Sequence, residues 1–167
     1  MDERSVHLNT MGCKFLEMKD YPNAFKYFCE AAKLGNANGI YNIGYCYFNG
    51  YGVEKNYYNA YHYLSKFMNT NHELSLQATY LCGLMLEAGG YGIIKNTDKA
   101  EKLFLYASER GHAWASLMYG KLAQLKGELA TAKNHFEQAQ FRAPNDAELQ
   151  KTAKGLLRAN MVMRFCK

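Results

Sequence analysis

The chain has 167 residues, 49% of them hydrophobic and 21% charged, and a formal net charge of +5. This balance excludes a disordered chain, and the length is enough for one domain or a short array of repeats to bury a core without disulfide staples. The first twenty residues hold no apolar run with a basic flank, and no segment nears the ~20 apolar residues that span a bilayer. Neither a signal peptide nor a membrane span is expected, and the expected location is cytoplasmic.

The chain then reads as four helical hairpins, spanning approximately residues 5–36, 37–72, 73–112 and 113–144, with a capping helix over 145–167. Each hairpin is marked by a Gly in its first helix: Met11-Gly12, Ile43-Gly44, Cys82-Gly83 and Tyr119-Gly120. A small residue lets two helices approach closely, which offsets the ~1 kcal/mol that Gly costs in a helix relative to Ala. Each second helix carries an Ala, at Ala24, Ala60, Ala100 and Ala132, followed three and four residues on by mostly large side chains, as one apolar helical face requires.

The first hairpin turns at Asp20-Tyr21-Pro22, with Pro in the first helical turn where no amide bond is lost. Gly35 is expected to end its second helix, and Gly111 that of the third hairpin. The second and third hairpins carry an insertion between their helices. Gly50-Tyr51-Gly52-Val53-Glu54-Lys55-Asn56 recurs forty positions later as Gly90-Tyr91-Gly92-Ile93-Ile94-Lys95-Asn96. Recurrence at such a period signals a stacked repeat, and insertions confined to one inter-helix loop are what such an array tolerates. The glycines suit φ > 0, and Asn56 and Asn96 are expected as helix N-caps. Residues 69–73 form a polar joint, the fourth hairpin turns tightly at Lys126-Gly127-Glu128, and Pro144-Asn145-Asp146 separates it from the last helix. That helix should bury Leu149, Ala153, Leu156, Leu157 and the Met161 region. Its basic residues, Lys151, Lys154, Arg158, Arg164 and Lys167, read as a solvated face.

No chemistry-bearing motif emerges. Cys13, Cys29, Cys46, Cys82 and Cys166 are odd in number and lack C-x-x-C spacing, so unpaired thiols in a reducing compartment are expected rather than a metal site. His7, His62, His72, His112 and His135 are too dispersed to imply a metal cluster. Gly-Tyr-Gly lacks the Lys-Ser/Thr ending and the preceding strand of a phosphate loop. The reading is therefore no enzyme, no catalytic residue, no metal and no cofactor.

Ile43-Gly44, Tyr47, Gly50, Gly52, Val53, Asn56 and Ala60 form a pattern that resembles the Sel-one-like repeat family, relatives of tetratricopeptide repeats. The third hairpin matches less fully: Leu86 replaces the Tyr, one residue is added at Gly89-Gly90, and Lys99-Ala100 is intact. The resemblance implies an all-α, right-handed solenoid of four helical hairpins with a C-terminal capping helix. It also implies a protein that binds another protein, as scaffold or adaptor, or as the small bacterial inhibitor (immunity-type) of a toxin or effector. If the first helices line a concave groove, as in related arrays, the residues three before and one after each marker Gly face it. These are Asn9 and Cys13, Tyr41 and Tyr45, Tyr80 and Leu84, Leu117 and Lys121, with Phe48 and Trp114 on adjacent turns. Tyr and Trp are enriched at binding hot spots, although helical aromatics more often fill cores, where Tyr47 and Tyr119 are assigned.

Two alternatives stand beside this reading. The Tyr-rich run from Tyr41 to Tyr63, with Tyr51, Tyr57, Tyr58 and Tyr61, could stack single-stranded nucleic acid, but its basic partners Lys55, His62 and Lys66 are sparse. An enzyme of the Cys-rich repeat type would carry regularly spaced Cys pairs, which this chain lacks.

Overall fold

A computed structural model describes residues 2–165, and among these the regular structure is helical. Cys166 and Lys167, counted above among the thiols and the basic tail, lie outside the described residues. The chain divides into two compact units, one up to Lys95 and the other from Asn96 onward.

The first unit contains α1 (Glu3–Glu17), α2 (Tyr21–Lys33), α3 (Ala37–Asn49), α4 (Tyr57–Leu64) and α5 (Ser75–Ala88), with a single turn of 3-10 helix at Ser65–Phe67 after α4. The starts of α1 to α4 are set by short polar side chains that satisfy otherwise unpaired amides. Asp20 Oδ1 accepts from Asn23 N in α2, with Pro22 in the first turn. Asn36 Oδ1 accepts from Gly39 N at 2.9 Å, and Asn56 Oδ1 from Asn59 N at 2.8 Å.

Two of the marker glycines, Gly12 and Gly44, lie where helices of this unit cross. A Cβ on Gly12 would lie 2.5 Å from the Phe28 ring, and one on Gly44 would lie 2.8 Å from Leu64 Cγ. Phe28, Ala24, Ile43 and Cys46 form a buried cluster, and Tyr51 and Val53 of the first glycine loop pack against it. The loop is thus part of the core. Between these two side chains Gly52 has φ +68°, and a Cβ there would collide with the carbonyl of Tyr21. The second loop repeats the arrangement one hairpin later, with Gly92 (φ +87°) against Tyr58 and the Tyr91 carbonyl accepting from Tyr57 N at 2.8 Å. Its additional residue is absorbed by reciprocal bonds between Gly90 and Ile93, with Tyr91 and Gly92 both at positive φ as a type I′ turn requires.

The second unit contains α6 (Thr97–Glu109), α7 (Ala113–Leu125), α8 (Leu129–Arg142) and α9 (Ala147–Phe165). Asn96 caps α6 through Lys99 N at 2.9 Å, and Asp146 caps α9 through Leu149 N at 2.9 Å. Gly120 lies against Phe136, where a Cβ would approach the ring to 2.7 Å. Phe136, Leu117, Ala132, Ala139, Leu149 and Ala153 belong to one core cluster, with Leu156 and Leu157 packed on its edge. Met161 corrects the sequence reading: it is 58% exposed, and Asn160 is the buried residue in its place. Eleven residues from Leu149 complete three helical turns and reach Asn160, so the stripe turns one position earlier. Its Nδ2 donates to the Leu129 carbonyl at 2.8 Å.

Candidate functional site

In the first unit the candidate residues fall into two aromatic groups. Tyr45 is half-buried and meets Tyr51 edge-on at 6.1 Å, while Tyr51 stacks flat on Tyr21 at 4.2 Å. Phe48 stacks on Tyr57 at 5.5 Å, and Tyr57 meets Tyr91 at 5.0 Å. Lys55 reaches over these rings, with Nζ 5.0 Å from the Tyr57 centroid and 4.8 Å from that of Tyr91. The cation therefore sits where ring quadrupoles attract it. Tyr80 and Leu84 lie part-exposed on α5.

Tyr41 departs from the expectation of a groove residue. It is only 7% exposed and packs edge-on against Phe67 at 5.8 Å. Burial drives its phenol pKa well above the ordinary value, so it stays neutral and acts as core. Tyr45 is raised in the same direction, first by burial and then by Tyr51.

In the second unit Leu117 is 3% exposed and belongs to the core cluster, a second correction to the expected groove. Trp114 packs against that cluster on one side, and its Nε1 donates to Asp146 Oδ2 at 2.9 Å. Lys121 is exposed.

The Tyr-rich run offers few free ring faces. Tyr57 is buried, Tyr51 stacks on Tyr21, and Tyr63 stacks on Tyr47 at 6.0 Å. Only Tyr58 is largely exposed among the rings of this loop and the start of α4, at 64%. What sequence reasoning missed is the partner set of the loop tyrosines. The available signal was that Tyr21 and Tyr57 hold the same first-turn position in successive second helices, and Tyr51 and Tyr91 the same position in successive loops.

A nucleophile–base pair does occur in the second unit. Ser108 Oγ lies 3.1 Å from His135 Nδ1 and 2.9 Å from Ser116 Oγ, and Arg142 donates to Ser116 Oγ at 2.7 Å and to the Ser108 carbonyl at 2.6 Å. Burial, then Arg142, lowers the His135 pKa and favours the neutral ring. Both serines are fully buried, so the network ties α6, α7 and α8 together and offers no open face to a substrate. Cys13 and Cys29 are half-buried and Cys46 and Cys82 buried, with burial pushing the Cys46 thiol up to about 12, away from nucleophilic use. Among the described residues no three His, Cys, Asp or Glu side chains are grouped as a metal site would need. No described helix is long and apolar enough to cross a membrane.

Helical hairpins with marker glycines at their crossings and glycine loops packed on the preceding hairpin define an α-repeat protein of the solenoid class. The Sel1 repeat model matches residues 17–36, 37–67 and 76–112, and the chain belongs to the Sel1 repeat family. A Sel1 repeat protein from Oxalobacter formigenes superimposes with a TM-score of 0.65 at 25% identity, over 84% of this chain and 57% of that one. The protective antigen c5321 of uropathogenic Escherichia coli, which displays an SLR fold, gives a TM-score of 0.66 at 22% identity, over 83% of this chain and 30% of that one. In sequence, the chain is similar to HcpC of Helicobacter pylori, which bears a beta-lactamase name, with 41% identity over 46 residues. That match spans 28% of this chain and 16% of HcpC. Proteins built from Sel1 repeats generally mediate protein–protein interaction.

Proposed function

We propose that this chain is a non-enzymatic, cytoplasmic binding module whose partner is another protein, engaged through the exposed faces of the first helices of its hairpins. In this reading Tyr45, Phe48, Tyr80, Leu84, Trp114 and Lys121 touch the partner, while Tyr41 and Leu117 support them from beneath. The narrower proposal is a small bacterial inhibitor of a toxin or effector, of the immunity-protein type. The observation that carries the binding reading is the half-exposed Tyr45, buttressed by the Tyr51–Tyr21 stack. An aromatic ring held rigid yet partly open loses little entropy on binding, which is the usual make-up of a hot spot.

A beta-lactamase activity, the reading that the name of HcpC raises, needs an accessible nucleophile. Ser108, paired with His135, is fully buried. This pair therefore lends the enzymatic reading no support. Single-stranded nucleic acid is disfavoured because the rings that would stack bases are already stacked on one another.

The test is recovery from a native lysate followed by affinity measurement on variants. One stoichiometric protein supports the proposal, and recovery that nuclease abolishes overturns it. Tyr45→Ala should weaken the complex by about 1–4 kcal/mol, as hot-spot truncations do, with a smaller change in urea midpoint. Trp114 calls for a milder change, Trp114→Phe, because its packing and its bond to Asp146 also support the fold. Unchanged affinity in Tyr45→Ala would remove α3 from the contact surface.

A further inference from the structure

On the other flank of α3, away from the aromatic groups, the first unit has an open cleft of about 360 Å³. Its walls come from α2, α3 and the end of α4: Cys29 and Lys33, Ile40 and Ile43, Tyr63, and Lys66 of the 3-10 turn. The floor is apolar and the rim is cationic. Lys66 is held at the rim over the Tyr63 ring, with Nζ 5.2 Å from the centroid. Lys33 ends α2, where the helix dipole favours a positive charge. Among the described residues neither lysine forms an ion pair, whereas Lys95, Lys126 and Lys133 each have an acidic partner. The nearby acid on α2 is Glu30, which lines a second cleft on the α1 side with Arg4, Leu8, Leu34 and Lys33 itself, so that Lys33 stands on the ridge between the two clefts.

An apolar hollow with two cations at its edge, neither held in an ion pair, complements one kind of occupant. Burying an aliphatic or aromatic side chain on Ile40 and Ile43 removes apolar surface from water, and carboxylates beside it meet Lys33 and Lys66 without having to be buried. The cleft is open on one side, so the occupant is presented from a surface rather than enclosed. We propose that this cleft receives an apolar side chain flanked by carboxylates, carried on an acidic segment of the partner protein. The inference rests on the protein-binding reading and adds to it a second contact surface and the charge of the partner.

The isoleucines provide the experiment, because the chain has only four: Ile40 and Ile43 in the cleft, and Ile93 and Ile94 in the second glycine loop. With isoleucine methyls labelled in the full chain, the probe is a capped peptide with a central Leu flanked on each side by two Asp. Its counterpart has Lys in place of every Asp. The expected result is saturable movement of the Ile40 and Ile43 signals with the acidic peptide, steady Ile93 and Ile94 signals, and no saturable response to the basic peptide. In the double variant Lys33→Glu, Lys66→Glu, whose unchanged loop signals report an intact fold, the acidic peptide should bind at least about tenfold more weakly. Three outcomes overturn the proposal: immobile Ile40 and Ile43 signals at saturating peptide, an equal response to the basic peptide, or undiminished affinity in the double variant. A cleft that fails this test while Tyr45→Ala still weakens the native complex removes the acidic-segment site alone. A responsive cleft with no protein recovered from lysate counts against the broader reading.

Discussion

The two units start equivalent helices with different chemistry. Gly-Asn-Ala at 35–37 opens α3 and Gly-His-Ala at 111–113 opens α7. Asn36 Oδ1 accepts from Gly39 N at 2.9 Å, and His112 Nδ1 accepts from Ala115 N at 3.1 Å. The geometry of the cap is conserved between them, but an amide keeps its acceptor at every pH, whereas an imidazole loses it on protonation. The turns differ as well. In the first unit a long glycine loop is fastened by packing, with Tyr51 and Val53 on the core and Tyr21 beneath the Tyr51 ring. In the second, the short turn after α7 is fastened by charge, with Lys126 Nζ reaching both carboxylate oxygens of Glu101 at 2.6 and 2.7 Å. One repeat plan thus accepts packed or electrostatic closure, and the two should respond to different perturbations.

The largest effect is expected at the packed loop. Gly52→Val places a β-branched side chain at φ +68° and drives its Cβ into the Tyr21 backbone, which cannot rotate away as a side chain would. Backbone strain and overpacking each cost about 1–3 kcal/mol, so a loss of about 4 kcal/mol is expected in urea unfolding. A loss below about 1 kcal/mol would mean that the loop is not held against α2.

The next effect separates the two caps. Burial holds the His112 pKa down to about 4, against an ordinary 6.5. The unfolded chain therefore takes up a proton as pH falls through 6.5 while the folded chain does not. The contribution to stability is full above that pH and is lost as pH falls towards 4, to a total of at most on the order of 3 kcal/mol. His135, lowered by burial and by Arg142, adds a loss of the same sign. His112→Asn copies the Asn36 cap and should flatten much of the acid-side slope while leaving stability at pH 8 nearly unchanged. A pH profile identical to that of the unaltered chain would show that the buried imidazole is not what titrates.

How far these features were legible before the structure depends on how local they are. Gly12, Gly44 and Gly120 were readable as crossing points because a helix contact at a Gly needs only the large residue of its own hairpin, here Phe28, Leu64 and Phe136. Asn56 and Asn96 were readable as caps because a cap bonds an amide three residues on. The position three before each marker Gly was not readable. Asn9 and Tyr80 are part-exposed there, whereas Tyr41 and Leu117 are buried. Three residues turn the helix by about 300°, to the edge of the buried stripe, and the neighbouring element decides which side wins. For Tyr41 that element is the 3-10 turn bearing Phe67, which no local pattern announces. The Tyr51–Tyr21 stack was hidden for the same reason, since its members lie thirty residues apart.

The smallest effect belongs to the charge-fastened turn, and its size is what makes it diagnostic. Lys126 and Glu101 are at hydrogen-bonding distance, and the Glu101 carboxylate raises the Lys126 pKa. Geometry this good does not imply large stabilisation, because the Lys126 ammonium faces solvent and leaving water for a pair in water gains little. Lys126→Met keeps the aliphatic stem and removes the charge. It should lower the urea midpoint slightly in dilute buffer and leave it indistinguishable from the unaltered chain near 1 M salt, where the screening length is about 3 Å. The Gly52→Val defect should persist undiminished at that salt, since neither strain nor packing is screened. If Lys126→Met were as damaging as Gly52→Val, or if its effect ignored salt, the turn after α7 would be held by packing as the glycine loops are, and the contrast between the units would fail.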